Sequence, residues 1–129
     1  MTTEPKRVLV VEDNSSFRTI LVRTLQRAGY DAVPAEDFST AIAIVERDEN
    51  LHLLLIDVQM PPGTPNGVTL GRMAGLRRRR LPMIYLTGAY NLSQMAGVLG
   101  SNIPILQKPF NMEELIRTIE TALNQIAQS

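Results

Sequence analysis

The sequence predicts a doubly wound α/β domain, with helices on both faces of a five-stranded parallel sheet. Three observations carry this expectation. The runs Arg7-Val-Leu-Val-Val11 and His52-Leu-Leu-Leu-Ile-Asp57 are continuously aliphatic, the pattern of strands buried on both faces. Segments with apolar steps of three and four lie between the strand candidates. The chain has 129 residues, 44% of them hydrophobic, which is enough for one core without staples. Short strands joined by helical crossovers close into a parallel sheet with right-handed connections.

The elements follow in order. The first strand ends at Glu12-Asp13-Asn14. Phe17, Ile20, Leu21, Leu25 and Ala28 then set out an amphipathic helix, with Ser15 as the expected N-cap and Gly29 as its stop. Asp31 to Ala35 reads as a short strand that Pro34 pushes to an edge. Phe38, Ala41, Ile42 and Val45 mark a second helix capped by Asp37. The strand ending at Asp57 leads into the loop Met60-Pro-Pro-Gly-Thr-Pro-Asn-Gly67. Val68 to Arg78 is a weaker helix, because Gly71 and Gly75 both cost helix stability. Pro82 to Thr87 is the fourth strand, and Leu92, Met95, Ala96 and Leu99 outline a fourth helix. Ile103 to Gln107 is the fifth strand, closed by Lys108-Pro109. Asn111-Met-Glu-Glu114 opens the last helix with a cap, and its core positions are Leu115, Ile119, Ala122, Leu123 and Ile126.

Composition removes several classes of function. The chain has no Cys and one His (His52), which excludes disulfide frameworks, thiolate zinc sites, cysteine nucleophiles and multi-histidine metal sites. Thirteen basic residues balance thirteen acidic ones, so nothing electrostatic points to nucleic acid or membrane as a partner. The run Arg77-Arg78-Arg79-Arg80 lacks interleaved aromatics and reads as a solvated helix end. His52 reads as a strand-start packing residue. The uncharged stretch from Leu81 to Gln107 is interrupted by Pro82, Asn91, Pro104 and other polar residues, and so fails as a membrane span. No segment reads as a targeting signal, and the expected location is the cytoplasm.

In an open parallel sheet, ligands bind beyond the carboxyl ends of the strands. Those ends carry Glu12-Asp13, Asp57, Thr87 and Lys108. Three crowded carboxylates gain proton affinity unless a cation neutralises them. A hard divalent ion such as Mg²⁺, which takes one or two carboxylates and keeps several waters, suits the set. A carboxylate can also attack phosphorus, with the Thr87 hydroxyl and Lys108 ammonium on phosphoryl oxygens. Taken singly, each acid could be a cap or turn residue. Lys108 is more telling, because Lys6 is the only other lysine in a chain that otherwise uses arginine.

The sequence resembles the receiver domain of two-component response regulators over nearly its whole length. The residues that carry the resemblance are Val8-Leu-Val-Val-Glu-Asp-Asn14, Leu54-Leu-Ile-Asp-Val-Gln-Met-Pro61, Tyr85-Leu-Thr-Gly88 and Lys108-Pro-Phe110. It implies a flavodoxin-like sheet of strand order 2-1-3-4-5 and one domain over residues 1–129 with a core of about 6–126. It makes Asp57 the phosphoacceptor, charged from a phosphohistidine of a sensor kinase or phosphotransfer protein. Asp13, Asp57 and the backbone carbonyl of Gln59 become ligands to Mg²⁺, with Glu12 acting through water. Thr87 and Lys108 bind the phosphoryl group, and the Lys108-Pro109 bond is a candidate cis peptide. Such a domain catalyses only its own phosphorylation and dephosphorylation, and is not an enzyme toward other substrates.

The sequence departs from that family at several points. The switch aromatic three residues before the lysine is replaced by Ile105. Gly67 falls about two residues later than usual, with an insertion around Pro62-Gly-Thr-Pro65. Gln59 and Ala89, which influence phosphoryl lifetime in the family, are not acidic. The stretch from Gly88 to Gln107 is uncharged, and Val98 and Ile105 could form an apolar docking face for a partner or a homodimer. The alternative is that its helix is short and well covered. A pseudo-receiver, acting as an interaction module without phosphorylation, is the rival reading. An aspartate-nucleophile phosphatase would need an acid at Gln59, and a nucleotide-binding loop would need Gly-Lys-Ser/Thr after Gly63. No length remains for an output domain, so a stand-alone receiver is expected, although an excised domain would read the same.

Overall fold

A computed structural model of the chain describes residues 4–60, 66–88 and 102–128, with side chains as far as 124. Its elements are β1 (Arg7–Val11), α1 (Ser15–Arg27), β2 (Asp31–Ala35), α2 (Phe38–Arg47), β3 (Leu51–Asp57), α3 (Gly67–Arg77), β4 (Met83–Thr87), β5 (Ile105–Gln107) and α4 (Met112–Gln128). The strands form one sheet in the order β2-β1-β3-β4-β5, and every neighbouring pair is parallel. This is the expected doubly wound architecture. The helix expected over Leu92–Leu99, the insertion at Pro62–Pro65, and Ala89 and Val98 lie outside the described residues.

The period-two alternation of the strands sorts the core into two layers. Val8, Val10, Leu53, Leu55, Ile84 and Leu86 face α1 and α4, where they meet Leu21, Leu25, Leu115 and Ile119. Leu9, Val11, Leu54, Ile56 and Tyr85 face α2 and α3, where they meet Ala41, Val45, Leu70 and Ala74. Each Val, Leu or Ile among them contributes about 1.5–3 kcal/mol on burial. Continuing the period past the strand ends puts Glu12, Asp57 and Lys108 on the α1/α4 side. Thr87 and Ile105 share parity with Tyr85 and fall on the other side.

Local chemistry explains the boundaries, including those that sequence reading misplaced. The N-cap of α1 is Asn14 rather than Ser15, because the Asn14 side chain accepts from the Phe17 N–H at 2.8 Å. Its C-terminus ends as expected at Gly29, whose φ of 94° suits glycine. The Gly29 and Tyr30 N–H groups there return to the Gln26 and Leu25 carbonyls (3.1 and 3.0 Å). Ile20, expected in the core, is 49% exposed on the outer side of α1. Asp37 caps α2 as expected, accepting from the Thr40 N–H at 2.8 Å. Asn111 likewise caps α4, accepting from the Glu114 N–H at 2.8 Å. β5 begins at Ile105 rather than Ile103. Pro104 has no N–H for the ladder, and only its carbonyl takes part, accepting from Tyr85 N at 3.0 Å.

Two further packing details correct the sequence reading. His52 is not simply a packing residue. The β1–β3 register shifts between Arg7 and Val8, leaving His52 as the extra residue, and its Nδ1 accepts the Arg7 N–H at 2.9 Å. The arginine run is only partly a solvated face. Arg77 pairs with Glu46 at 2.6 Å, and Arg78 donates to the Asp48 carbonyl at 2.7 Å, closing the end of α2. Gly71, expected to weaken α3, is required by packing: a Cβ there would overlap the hydroxyl and ring of buried Tyr85.

Candidate functional site

The carboxyl ends of the strands bring the predicted residues to one rim. Glu12 and Asp13 follow β1, Asp57 ends β3, Thr87 ends β4 and Lys108 follows β5. Glu12, Asp57 and Thr87 are buried, the only polar side chains in that class among the described residues, whereas Asp13 is exposed. Carboxylate oxygens of Glu12, Asp13 and Asp57 all lie within 4.8 Å of one another. With Asn14, Phe17, Gln59 and Lys108 they line an open cleft of about 380 Å³.

Asp57 is held at both oxygens. Oδ1 accepts the Gln59 N–H at 3.0 Å, and Oδ2 accepts from Lys108 Nζ at 2.8 Å. The backbone around it is fixed as well. Val58 N donates to the Leu86 carbonyl (2.8 Å) and Gly67 N to the Val58 carbonyl (2.9 Å). Gly67 presses against this corner so closely that a Cβ would overlap the Asp57 carbonyl and Val58 Cα. Lys108 is tied to β4 through its N–H, which donates to the Thr87 carbonyl at 2.7 Å, and the peptide bond to Pro109 is cis. The Thr87 hydroxyl donates to the Gly88 carbonyl at 3.1 Å. Ile105 pairs with Tyr85 in the sheet register and packs, partly buried, against the α2/α3 layer.

Glu12 carries the electrostatic tension of the site. One oxygen accepts the Asn14 N–H at 3.3 Å. The other, Oε1, is buried without a hydrogen bond, with Lys108 Nζ 3.5 Å away as an ion-pair partner only. Burial first, and then the adjacent Asp57 carboxylate, push the Glu12 carboxyl up to about 8. Burial alone would lower the Lys108 ammonium. The bond to Asp57 and the charges of Asp57 and Glu12 outweigh it and raise that group above its ordinary value. An orphaned buried carboxylate oxygen facing two further carboxylates, all hard oxygen donors, fits a small divalent cation.

Sequence reasoning missed two residues here. Arg18 donates from Nη1 to the Glu12 carbonyl at 2.8 Å and to the Asp13 carbonyl at 3.4 Å, bracing the turn that presents both acids. Its signal was legible in principle: a cation in the first turn of a helix opposes the helix dipole and so needs a local partner. Phe17, read only as core, lies beneath the Lys108 ammonium, and no residue-type pattern announces that contact.

The chain is related to known proteins along its length. Residues 8–120 match the family model of the response regulator receiver domain. The chain is 31% identical over 122 residues to the response regulator receiver protein CpdR of Brucella abortus (strain 2308), covering 92% of this chain and 97% of that protein. It is 32% identical over 110 residues to the uncharacterized transcriptional regulatory protein YrkP of Bacillus subtilis (strain 168), covering 84% of this chain and 46% of that protein. It therefore spans about half the length of the latter. The crystal structure of a CheY-like receiver domain protein from Methanospirillum hungatei JF-1 matches with a TM-score of 0.86 at 25% identity, covering 96% of this chain and 98% of that one. With its family model, its relatives and its fold in agreement, the chain belongs to the response regulator receiver domain family of two-component signalling.

Proposed function

We propose that the domain takes a phosphoryl group on Asp57 in a Mg²⁺-dependent reaction with a histidine kinase or phosphotransfer protein, and that the modification alters partner binding. The observation that carries this reading is the bond from Lys108 Nζ to Asp57 Oδ2 (2.8 Å) beside the orphaned Glu12 Oε1. A buried carboxylate is thus hydrogen-bonded to an ammonium, while a second carboxylate shares that same ammonium only at 3.5 Å and keeps an oxygen with no hydrogen bond. Asp13, Asp57 and the Gln59 carbonyl are the residues that would hold Mg²⁺, with Glu12 acting through water. The ion's contribution is positive charge against the phosphoryl oxygens.

The chain's own groups account for the rest. An Asp57 carboxylate oxygen forms the new P–O bond as the donor's P–N bond breaks, and the electron pair departs on the imidazole. Lys108 holds one phosphoryl oxygen and Thr87 another. Phosphoryl transfer depends mainly on position and charge neutralisation, and the bonds that Gln59 N and Lys108 make to Asp57 supply both. On this reading the domain catalyses its own phosphorylation and dephosphorylation and turns over no other substrate.

Intact-mass measurement after incubation with acetyl phosphate and Mg²⁺ tests this. The wild type is expected to gain one phosphoryl group, and chelator and Asp57→Asn are each expected to abolish the gain. An adduct of equal yield on Asp57→Asn would overturn the assignment of Asp57. If the wild type showed neither an adduct nor beryllofluoride binding, the domain would be a phosphorylation-independent interaction module.

A further inference from the structure

Lys108 is held by more than its two carboxylates. Its Nζ lies 4.8 Å from the centroid of the Phe17 ring while it donates to Asp57 at 2.8 Å. Phe17 lines the same cleft and is half-buried. Behind it stands Phe110, with ring centroids 6.2 Å apart and planes tilted by 57°. The Asn14 side chain binds the Phe17 N–H at 2.8 Å, which fixes where the ring leaves the first turn of α1. Phe110 lies two residues past Lys108, so the ring contact ties α1 to the lysine's own loop.

The physical case for a ring at this position is specific. A lysine head on a four-carbon stem has many rotamers, and two carboxylates on one side leave it free to swing. The negative face of an aromatic ring attracts an ammonium, more strongly where water is partly excluded. A carboxylate there would add a fourth negative charge to the rim and compete for the cation. A ring steadies the ammonium without doing either.

We propose that Phe17 is a positioning residue for phosphoryl transfer, its ring face holding the Lys108 ammonium against the Asp57 and Glu12 carboxylates. This rests on the reading of Asp57 as phosphoacceptor. With acetyl phosphate, an Asp57 oxygen forms the new P–O bond, the donor's P–O bond to its acyl group breaks, and the electron pair leaves on acetate. Phe17 touches none of the reacting atoms and acts only through Lys108.

The test measures initial phosphorylation rates with acetyl phosphate at saturating Mg²⁺ for wild type, Phe17→Leu and Phe17→Tyr, each repeated in a Lys108→Ala background. Phe17→Leu is expected to lose about three- to tenfold in rate, a loss inside the range one cation–π contact spans, with Phe17→Tyr within about twofold of wild type. The loss should vanish in the Lys108→Ala background. An equal loss in both backgrounds, or Phe17→Tyr as slow as Phe17→Leu, would overturn the proposal.

Proton NMR of the Mg²⁺-free protein gives a readout independent of activity. The methylene protons next to Lys108 Nζ should be shifted upfield by the ring in wild type and Phe17→Tyr, and not in Phe17→Leu. Absence of that shift in wild type overturns the placement, even if Phe17→Leu fails to fold. A wild type that shows the shift but neither takes a phosphoryl group nor binds beryllofluoride overturns Asp57 as acceptor, and with it the role of Phe17, while leaving the contact in place.

Discussion

Glu12 shows how one residue can be both legible and incompletely readable. Its identity and its place after β1 marked it from the sequence, but its burial and its orphaned oxygen required the fold. Its carboxyl is raised from 4.5 to about 8, chiefly by burial. Between those values the folded, metal-free protein binds the extra proton, so stability falls as pH rises through the window. Glu12→Gln should therefore be more stable than wild type at pH 8 without metal, with the advantage shrinking toward pH 5. Thermal melts of the two proteins against pH in chelator would show the curves converging on acidification; parallel curves would refute the assignment. Asp57, Thr87 and Lys108 were readable for the same reason as Glu12: each sits where a recognisable strand stops. Phe17 was not, because its role depends on which way a helix turn faces, and the sequence pattern leaves that open. Arg18 gave only the general signal of a cation in a first helical turn, without naming its partner.

At the scale of elements, the long aliphatic strands were legible because burial on both faces leaves no other pattern. Caps were legible by type but not always by position. Asn14 and Ser15 are both good N-caps, and only the bond to Phe17 N distinguishes them. Glycines in α3 looked like weaknesses, and the reason for Gly71 appears only with Tyr85 packed against it. Gly71→Ala should destabilise the domain by about 1–3 kcal/mol through overpacking, despite its better helix propensity. Tyr85→Phe should relieve part of that cost, as chemical denaturation of the single and double variants would show.

The bulge between β1 and β3 yields a second prediction at this scale. His52 is lowered from 6.5 by burial first, then by the charges of Lys6 and Arg7, with Asp48 opposing. Below about 6.5 the unfolded chain binds the proton more readily, so this contribution is present at neutral pH and lost on acidification. His52→Asn offers a side-chain oxygen to the Arg7 N–H and should flatten that part of the stability profile. An unchanged slope between pH 7 and pH 5 would show that His52 does not set it.

At the scale of the whole molecule, a net charge of zero hides a division of labour between the two ends of the sheet. Carboxylates gather where the strands end. At the other end, Arg7 bridges Asp31 and Asp48 (2.8 and 2.7 Å), and Arg78 closes α2. One pole is neutralised by its own structure. The other keeps a carboxylate cluster around a single lysine, which is where the proposed reading puts a cation and a phosphoryl group. The strand order that makes this division was expected from the resemblance, because alternating elements alone do not say which strand lies beside which. The most direct measurement is reductive trapping: phosphorylate the protein with acetyl phosphate and Mg²⁺, treat it with borohydride, digest it and map the peptides. The account predicts an acyl phosphate reduced to homoserine at position 57 and nowhere else. Homoserine at another acid, or none in protein whose intact mass shows the phosphoryl group, would contradict it.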